Sequence, residues 1–140
     1  MTERDGIAVV SGGRRYTFGP ADVAMLDMLL EYHAIGEVWH GGAIGVDECA
    51  SIRAVELGLG TRVFLPEPTL FLADMKRKLL ERNKHMIADL DAAVHHEGRR
   101  GIVIAFVGED GTNNLVEHAH RARLHVIDLR AHPHAGWRTT

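Results

Sequence analysis

The chain's 140 residues, 46% of them hydrophobic and 25% charged, suffice for one packed core and leave no room for a second domain. A net charge of −3 excludes the global basic field that gathers nucleic acid or anionic membrane. A lone cysteine, Cys49, excludes an intrachain disulfide, and no window reaches the ~18 apolar residues of a membrane span.

From these limits the expectation is a cytoplasmic protein with one domain over residues 1–130 and a tail over 131–140. Short apolar runs bounded by glycine alternate with segments of helical periodicity, the pattern of a parallel sheet covered by helices. The polar start, Met1 to Gly6, leads into the strand run Ile7-Ala8-Val9-Val10, closed by Ser11-Gly12-Gly13. After Pro20, the spacing of Val23, Leu26 and Leu30 predicts a helix ended by Gly36. Glu37 to His40 reads as a strand, and Val46, Ala50, Ala54 and Leu57 mark a helix stopped at Gly58 and Gly60; Cys49 on that helix reads as a buried thiol.

Thr61 to Leu65 is a third strand, halted by Pro66 and Pro68. Leu72, Met75, Leu79, Met86 and Leu90 describe a long amphipathic helix, or two helices with a bend. The basic loop Glu97 to Arg100 precedes Ile102 to Phe106, an apolar run expected to be a central strand buried on both faces. Thr112 is placed to cap a helix through Val116 and Ala119, and Leu124 to Ile127 is the last strand. The sum is a Rossmann-like three-layer α/β/α fold with a mainly parallel central sheet of about five strands.

In such sheets ligands bind beyond the carboxyl ends of the strands, where strand order reverses. Three loops that follow strands are rich in glycine: Ser11 to Arg15, Gly41 to Asp47, and Gly108 to Asn113. Glycine there lets backbone approach a ligand, and the following helix N-terminus offers unpaired amides to phosphate. Arg14 and Arg15 could fork an anion or merely be solvated. Asp47 could accept from ribose hydroxyls or cap a helix. Arg82 and Asn83 interrupt the apolar stripe of the long helix, which marks either a site or a bend that carries both side chains to water.

The ten histidines do not read as a metal site: His118 and His120 cannot share a helix face, and neither His95-His96 nor His132 and His134 have an acid cluster nearby. There is no nucleophile elbow, and no cofactor is implied.

Taken in order, Ser11-Gly12-Gly13-Arg14, Gly41-Gly42-Ala43-Ile44-Gly45-Val46-Asp47 with Ala50, Arg82-Asn83-x-x-Met86, and Gly108-x-x-Gly111-Thr112 resemble the SLOG superfamily over about residues 7–128. That grouping of Rossmann-like nucleotide-binding domains includes YspA/YpsA-related small proteins, the LOG-like phosphoribohydrolases and the core of the DNA-processing protein DprA. The resemblance implies a ligand such as an ADP-ribose-like or nucleoside phosphate compound, held by a sensor, carrier or sequestering protein. Gly12, Gly13 and Arg14 would receive phosphate, Gly41, Gly42 and Asp47 would form the opposite wall, and Gly108, Gly111, Thr112 and Asn113 would hold a second phosphate. Arg82 and Asn83 would close the site.

A LOG-like hydrolase is the alternative. Arg82 matches its arginine, but Leu115 stands at the motif glutamate and Glu109 at its second glycine, which leaves Glu109, Asp110 and Glu117 as the nearby carboxylates. The third reading is DprA-like single-stranded DNA binding through Arg14, Arg15, Arg99 and Arg100; the acidic balance and the 6% of aromatic residues argue against a base-stacking platform. A homodimer is expected from the resemblance and from the apolar Leu70-Phe71-Leu72 segment.

Overall fold

The computed structural model describes residues 3–131. In chain order the elements are β1 (Gly6–Ser11), α1 (Pro20–Tyr32), β2 (Ile35–His40), α2 (Val46–Glu56), β3 (Gly60–Val63), α3 (Leu72–His95), β4 (Gly101–Ala105), α4 (Asp110–Arg121) and β5 (His125–Asp128). All five strands run parallel in the order β3-β2-β1-β4-β5, so β1 is central and the chain reverses its direction of travel across the sheet between β1 and β4. All but the first residue of the expected tail, with His132 and His134, lies outside the described residues.

Strand alternation sorts the core into two layers. Ala8, Val10, Val38, Ile102 and Ile104 turn toward α1 and α2, where they meet Leu26, Leu30, Ala50 and Ala54. Ile7, Val9, Trp39 and Val103 turn the other way, onto Met86, Leu90, Leu115 and Ala119 of α3 and α4. This is the Rossmann-like three-layer α/β/α arrangement, and each large aliphatic side chain it buries contributes about 1.5–3 kcal/mol. The run from Ile102 to Phe106 is buried throughout, as its composition requires of an inner strand.

The differences from expectation have local causes. Ala34 takes φ 52 and turns the chain, so β2 begins at Ile35 and Gly36 lies inside the strand instead of ending α1. Gly36 is there for close approach: a Cβ would stand 2.1 Å from the Arg4 carbonyl oxygen. Gly58, at φ 75, ends α2, whereas Gly60 is the first residue of β3, and that short strand stops at Val63. Residues 72–95 form one helix, so no bend carries Arg82 to water. Its apolar stripe is buried only from Met86 on; Leu72 and Met75 are exposed, as are Leu70 and Phe71 before them. Cys49 is half-buried rather than buried, and burial together with Glu48 raises its thiol pKa, which favours the unreactive form.

Candidate functional site

The loops after β1 and β4 meet where strand order reverses, and their backbones remain paired beyond the strands. The Phe106 amide donates to the Ser11 carbonyl (2.9 Å), and the Gly13 amide donates to the Val107 carbonyl (2.8 Å). Glycine is required at this seam: a Cβ on Gly13 would lie 3.2 Å from the Gly108 Cα, and one on Gly108 would lie 2.3 Å from Thr112 Oγ1. Thr112 does not cap α4, which starts two residues earlier at Asp110 with Glu109 at the N-cap. Its hydroxyl instead reaches across the seam to the Ser11 hydroxyl at 3.0 Å.

The β1 loop is anchored from behind. Tyr16 donates to Asp22 (2.8 Å), the other Asp22 oxygen accepts from the Gly19 amide (2.9 Å), and the Phe18 ring stands edge-on to Phe106 at 5.0 Å. Arg14 is therefore exposed at the tip of an ordered loop, and among the described residues its side chain has no ion pair or hydrogen bond.

The β2 loop is held by a buried carboxylate. Asp47 lies in the first turn of α2, but its carboxylate turns back to accept from the Gly41 amide (2.9 Å), with the Ala43 and Gly12 amides as further partners. Burial pushes its pKa up to about 6, against the downward pull of those amides and of the Arg82 charge. Neither a helix cap nor a free ribose acceptor describes it: Asp47 ties the β1 loop to the β2 loop. Gly45, at φ 89, completes the tie, since a Cβ there would sit 2.7 Å from the Gly13 carbonyl oxygen.

Arg82 crosses from α3 to the strand ends. One terminal nitrogen, Nη1, donates to the Gly41 carbonyl (2.6 Å) and to the Phe64 carbonyl (3.3 Å), while Nε donates to Asn83 Oδ1 (3.0 Å). The buried Asn83 side chain donates in turn to the Gly111 carbonyl (2.9 Å), which joins α3 to the first turn of α4. No carboxylate lies within ion-pair distance of Arg82, and its Nη2 is without a partner among the described residues. Burial lowers the guanidinium pKa, the Asp47 charge raises it, and the Arg14 charge lowers it again, so Arg14 lies near enough for the two cations to repel.

The structure thus brings together Gly12, Gly13, Arg14, Gly41, Gly42, Asp47, Arg82, Asn83, Gly108, Gly111 and Thr112 at one edge of the sheet. Asn113 is at the periphery, where its Oδ1 accepts from Arg130 (2.7 Å). Glu109 is exposed at the start of α4, whereas Glu117 is ion-paired with Arg121 on the outer face of that helix. Leu115, the position that carries the glutamate in LOG-like motifs, is fully buried in the core. The expected groove of four arginines does not form, because in a parallel sheet Arg99 and Arg100, which precede β4, lie at the edge opposite Arg14 and Arg15, which follow β1. Arg99 is bound there to the Asp5 carbonyl (2.9 Å) and to Glu37 (3.6 Å).

His40 escaped the sequence reading, and Ser11 entered it only as the first residue of its loop, without a role of its own. Each is a polar residue that ends an apolar strand run at the carboxyl edge, and that placement is the signal that could have found them. His40 is buried, its Nδ1 accepts from the Gly42 amide (3.0 Å), and burial, then the Arg82 charge, lowers its pKa. Among the described residues no cluster of three or more His, Cys, Asp or Glu is placed to hold a metal, and no helix is long and apolar enough to cross a membrane. A separate open groove of about 530 Å³ between α3 and α4 shares no lining residue with the glycine loops. Its charges largely satisfy one another, Arg77 with Asp74 and Glu81, and Lys76 with Asp110.

Fold and site together define a Rossmann-like α/β domain whose glycine loops and Arg82 gather at the switch point of the sheet. No family model and no curated protein matches the chain. Among solved structures it is similar to DNA processing protein A (DprA) from Streptococcus pneumoniae, at 12% identity and TM-score 0.47 over 87% of this chain and 58% of that one. It is also similar to a predicted subunit of tRNA methyltransferase from Methanocaldococcus jannaschii, at 15% identity and TM-score 0.37 over 88% of this chain and 66% of that one. The chain therefore spans less than two thirds of the length of either structure.

Proposed function

We propose that the protein binds a phosphate-bearing nucleotide or nucleotide derivative, ADP-ribose-like or a nucleoside phosphate, in the crevice between the β1 and β4 loops, and acts as a sensor, carrier or sequestering protein. The observation that carries this reading is that Arg14 and Arg82 lie near enough for their charges to repel, while among the described residues no carboxylate is in ion-pair distance of either. Repulsion between two cations, one of them half-buried, is relieved by an anion placed between them. Around it, the first amides of α4 have no intrahelical partner, whereas the Gly13 amide is already given to the Val107 carbonyl. The exposed segment from Leu70 to Leu72 supports pairing of two copies as part of the same proposal, which sedimentation would check.

The test is mass spectrometry of small molecules released from the purified protein, followed by calorimetry with AMP and ADP-ribose on wild type and on Arg14→Ala. Because Arg14 is exposed and unpartnered, its removal leaves the melting temperature unchanged and weakens binding about tenfold or more, the loss of one charge-assisted contact. If nothing co-purifies and neither compound binds, the reading fails. Turnover of either probe would move the protein to the hydrolase class.

A further inference from the structure

His40 holds a buried donor that no other described residue uses. The residue ends β2 and is only 7% exposed. Its Nδ1 accepts the Gly42 amide proton at 3.0 Å, so the ring proton of the neutral imidazole resides on Nε2. Among the described residues nothing accepts from Nε2. Buried polar groups without a partner are rare in folded proteins, because leaving one unmade costs about 1–3 kcal/mol, and each calls for an explanation, a bound ligand among them.

The surroundings of this donor indicate what it is for. The next residue, Gly41, gives its amide to Asp47 and its carbonyl to Arg82, so His40 immediately precedes the peptide on which both charged groups of the site converge. Nη2 of Arg82 is a second donor without a partner in the same neighbourhood. We infer that His40 is a further binding residue of the crevice: its Nε2–H donates to an anionic oxygen of the ligand that Arg82 also contacts. This rests on the reading of the crevice as a phosphate-binding site, and it narrows the ligand to one that presents an acceptor oxygen deep against the end of β2 as well as at the Arg14 tip. A neutral imidazole suits this role, since it adds a hydrogen bond without a third cation beside Arg14 and Arg82.

Two substitutions separate the ring nitrogens. His40→Asn keeps an acceptor for the Gly42 amide and removes the distal donor, whereas His40→Gln restores an N–H near the position of Nε2. Calorimetric titration with AMP and ADP-ribose is expected to show about a tenfold loss of affinity in His40→Asn, the worth of one hydrogen bond to a charged acceptor, and a loss of no more than about threefold in His40→Gln. Nitrogen-15 spectra of the wild-type imidazole supply a readout that a purely structural role would not move: the Nε2–H resonance shifts on addition of ligand, while Nδ1 keeps its acceptor signature. Equal affinity in wild type and His40→Asn, with Arg14→Ala still weakened, overturns the inference and leaves the crevice reading standing. Absence of binding by the wild type removes both. If His40→Asn proves unstable, an Nε2 resonance that stays fixed at saturating ligand overturns the inference without any variant.

Discussion

The two edges of the same sheet carry similar residues and use them differently. At the amino edge, Arg99 is held by the Asp5 carbonyl and by Glu37, and glycines at positive φ, such as Gly58 and Gly98, serve turns with nothing pressed against them. At the carboxyl edge, Arg14 and Arg82 lack a carboxylate partner, and glycine is needed because backbone or side chain fills the space a Cβ would take. Glycine and arginine content alone does not separate a turn from a site. What separates them is whether the charges are already neutralised, since packed glycines such as Gly36 and Gly101 occur at the amino edge as well.

That contrast can be broken by mutation, and the largest effects are expected at the buried carboxylate and at Gly12. Asp47→Ala leaves the buried Gly41 amide without its acceptor and is expected to destabilise the fold by about 2 kcal/mol, measured by urea unfolding. A loss below about 1 kcal/mol would show that the carboxylate does not hold the two loops together. Next, Gly12→Ala puts a Cβ 2.5 Å from Val46 Cγ2 and 2.6 Å from its Cβ, inside the core, for an expected loss of about 2 kcal/mol. Gly41→Ala tests the same crowding against a movable partner, since its Cβ would fall 2.3 Å from Arg82 Nη1. The guanidinium can swing away, so stability drops by less than about 1 kcal/mol while binding of AMP or ADP-ribose is lost.

A smaller effect is expected from pH. The folded state holds the Asp47 proton more tightly than the unfolded state, with a pKa pushed up to about 6. The native form therefore binds more protons than the unfolded form in this window, and the Asp47 contribution to stability falls as pH rises from the usual carboxylate range to about 6. The midpoint of urea unfolding should decline over that interval in wild type, and the decline should flatten in Asp47→Asn. The smallest change belongs to the amino edge: Arg99→Ala exposes no buried group and should alter stability by no more than about 0.5 kcal/mol with ligand affinity untouched. An affinity loss there would dissolve the distinction between the edges.

Strand identity was legible because apolar runs such as Ile102 to Phe106 are long, continuous and bounded. The position of Arg82 and Asn83 on an otherwise apolar stripe likewise marks the point where α3 bonds to the β2 loop and to the first turn of α4. What stayed hidden depends on contacts distant in sequence. Gly36 was read as a helix stop because nothing local reveals that the Arg4 carbonyl lies against it. Thr112 resembled a cap, and only the parallel pairing of β1 with β4 brings Ser11 within reach of its hydroxyl. Asp47 is placed in sequence like a helix cap or ribose acceptor, but the depth at which it is buried sends its carboxylate to backbone amides.

The backbone seam from Ser11 to Phe106 and from Gly13 to Val107 has a consequence for the pace of binding. Folding itself closes that seam, so a ligand arriving there meets a floor whose conformational entropy has already been surrendered. Association is then governed by diffusion and by the field of the two arginines rather than by loop closure, and the Gly13 amide should exchange with solvent as slowly as the strands it continues.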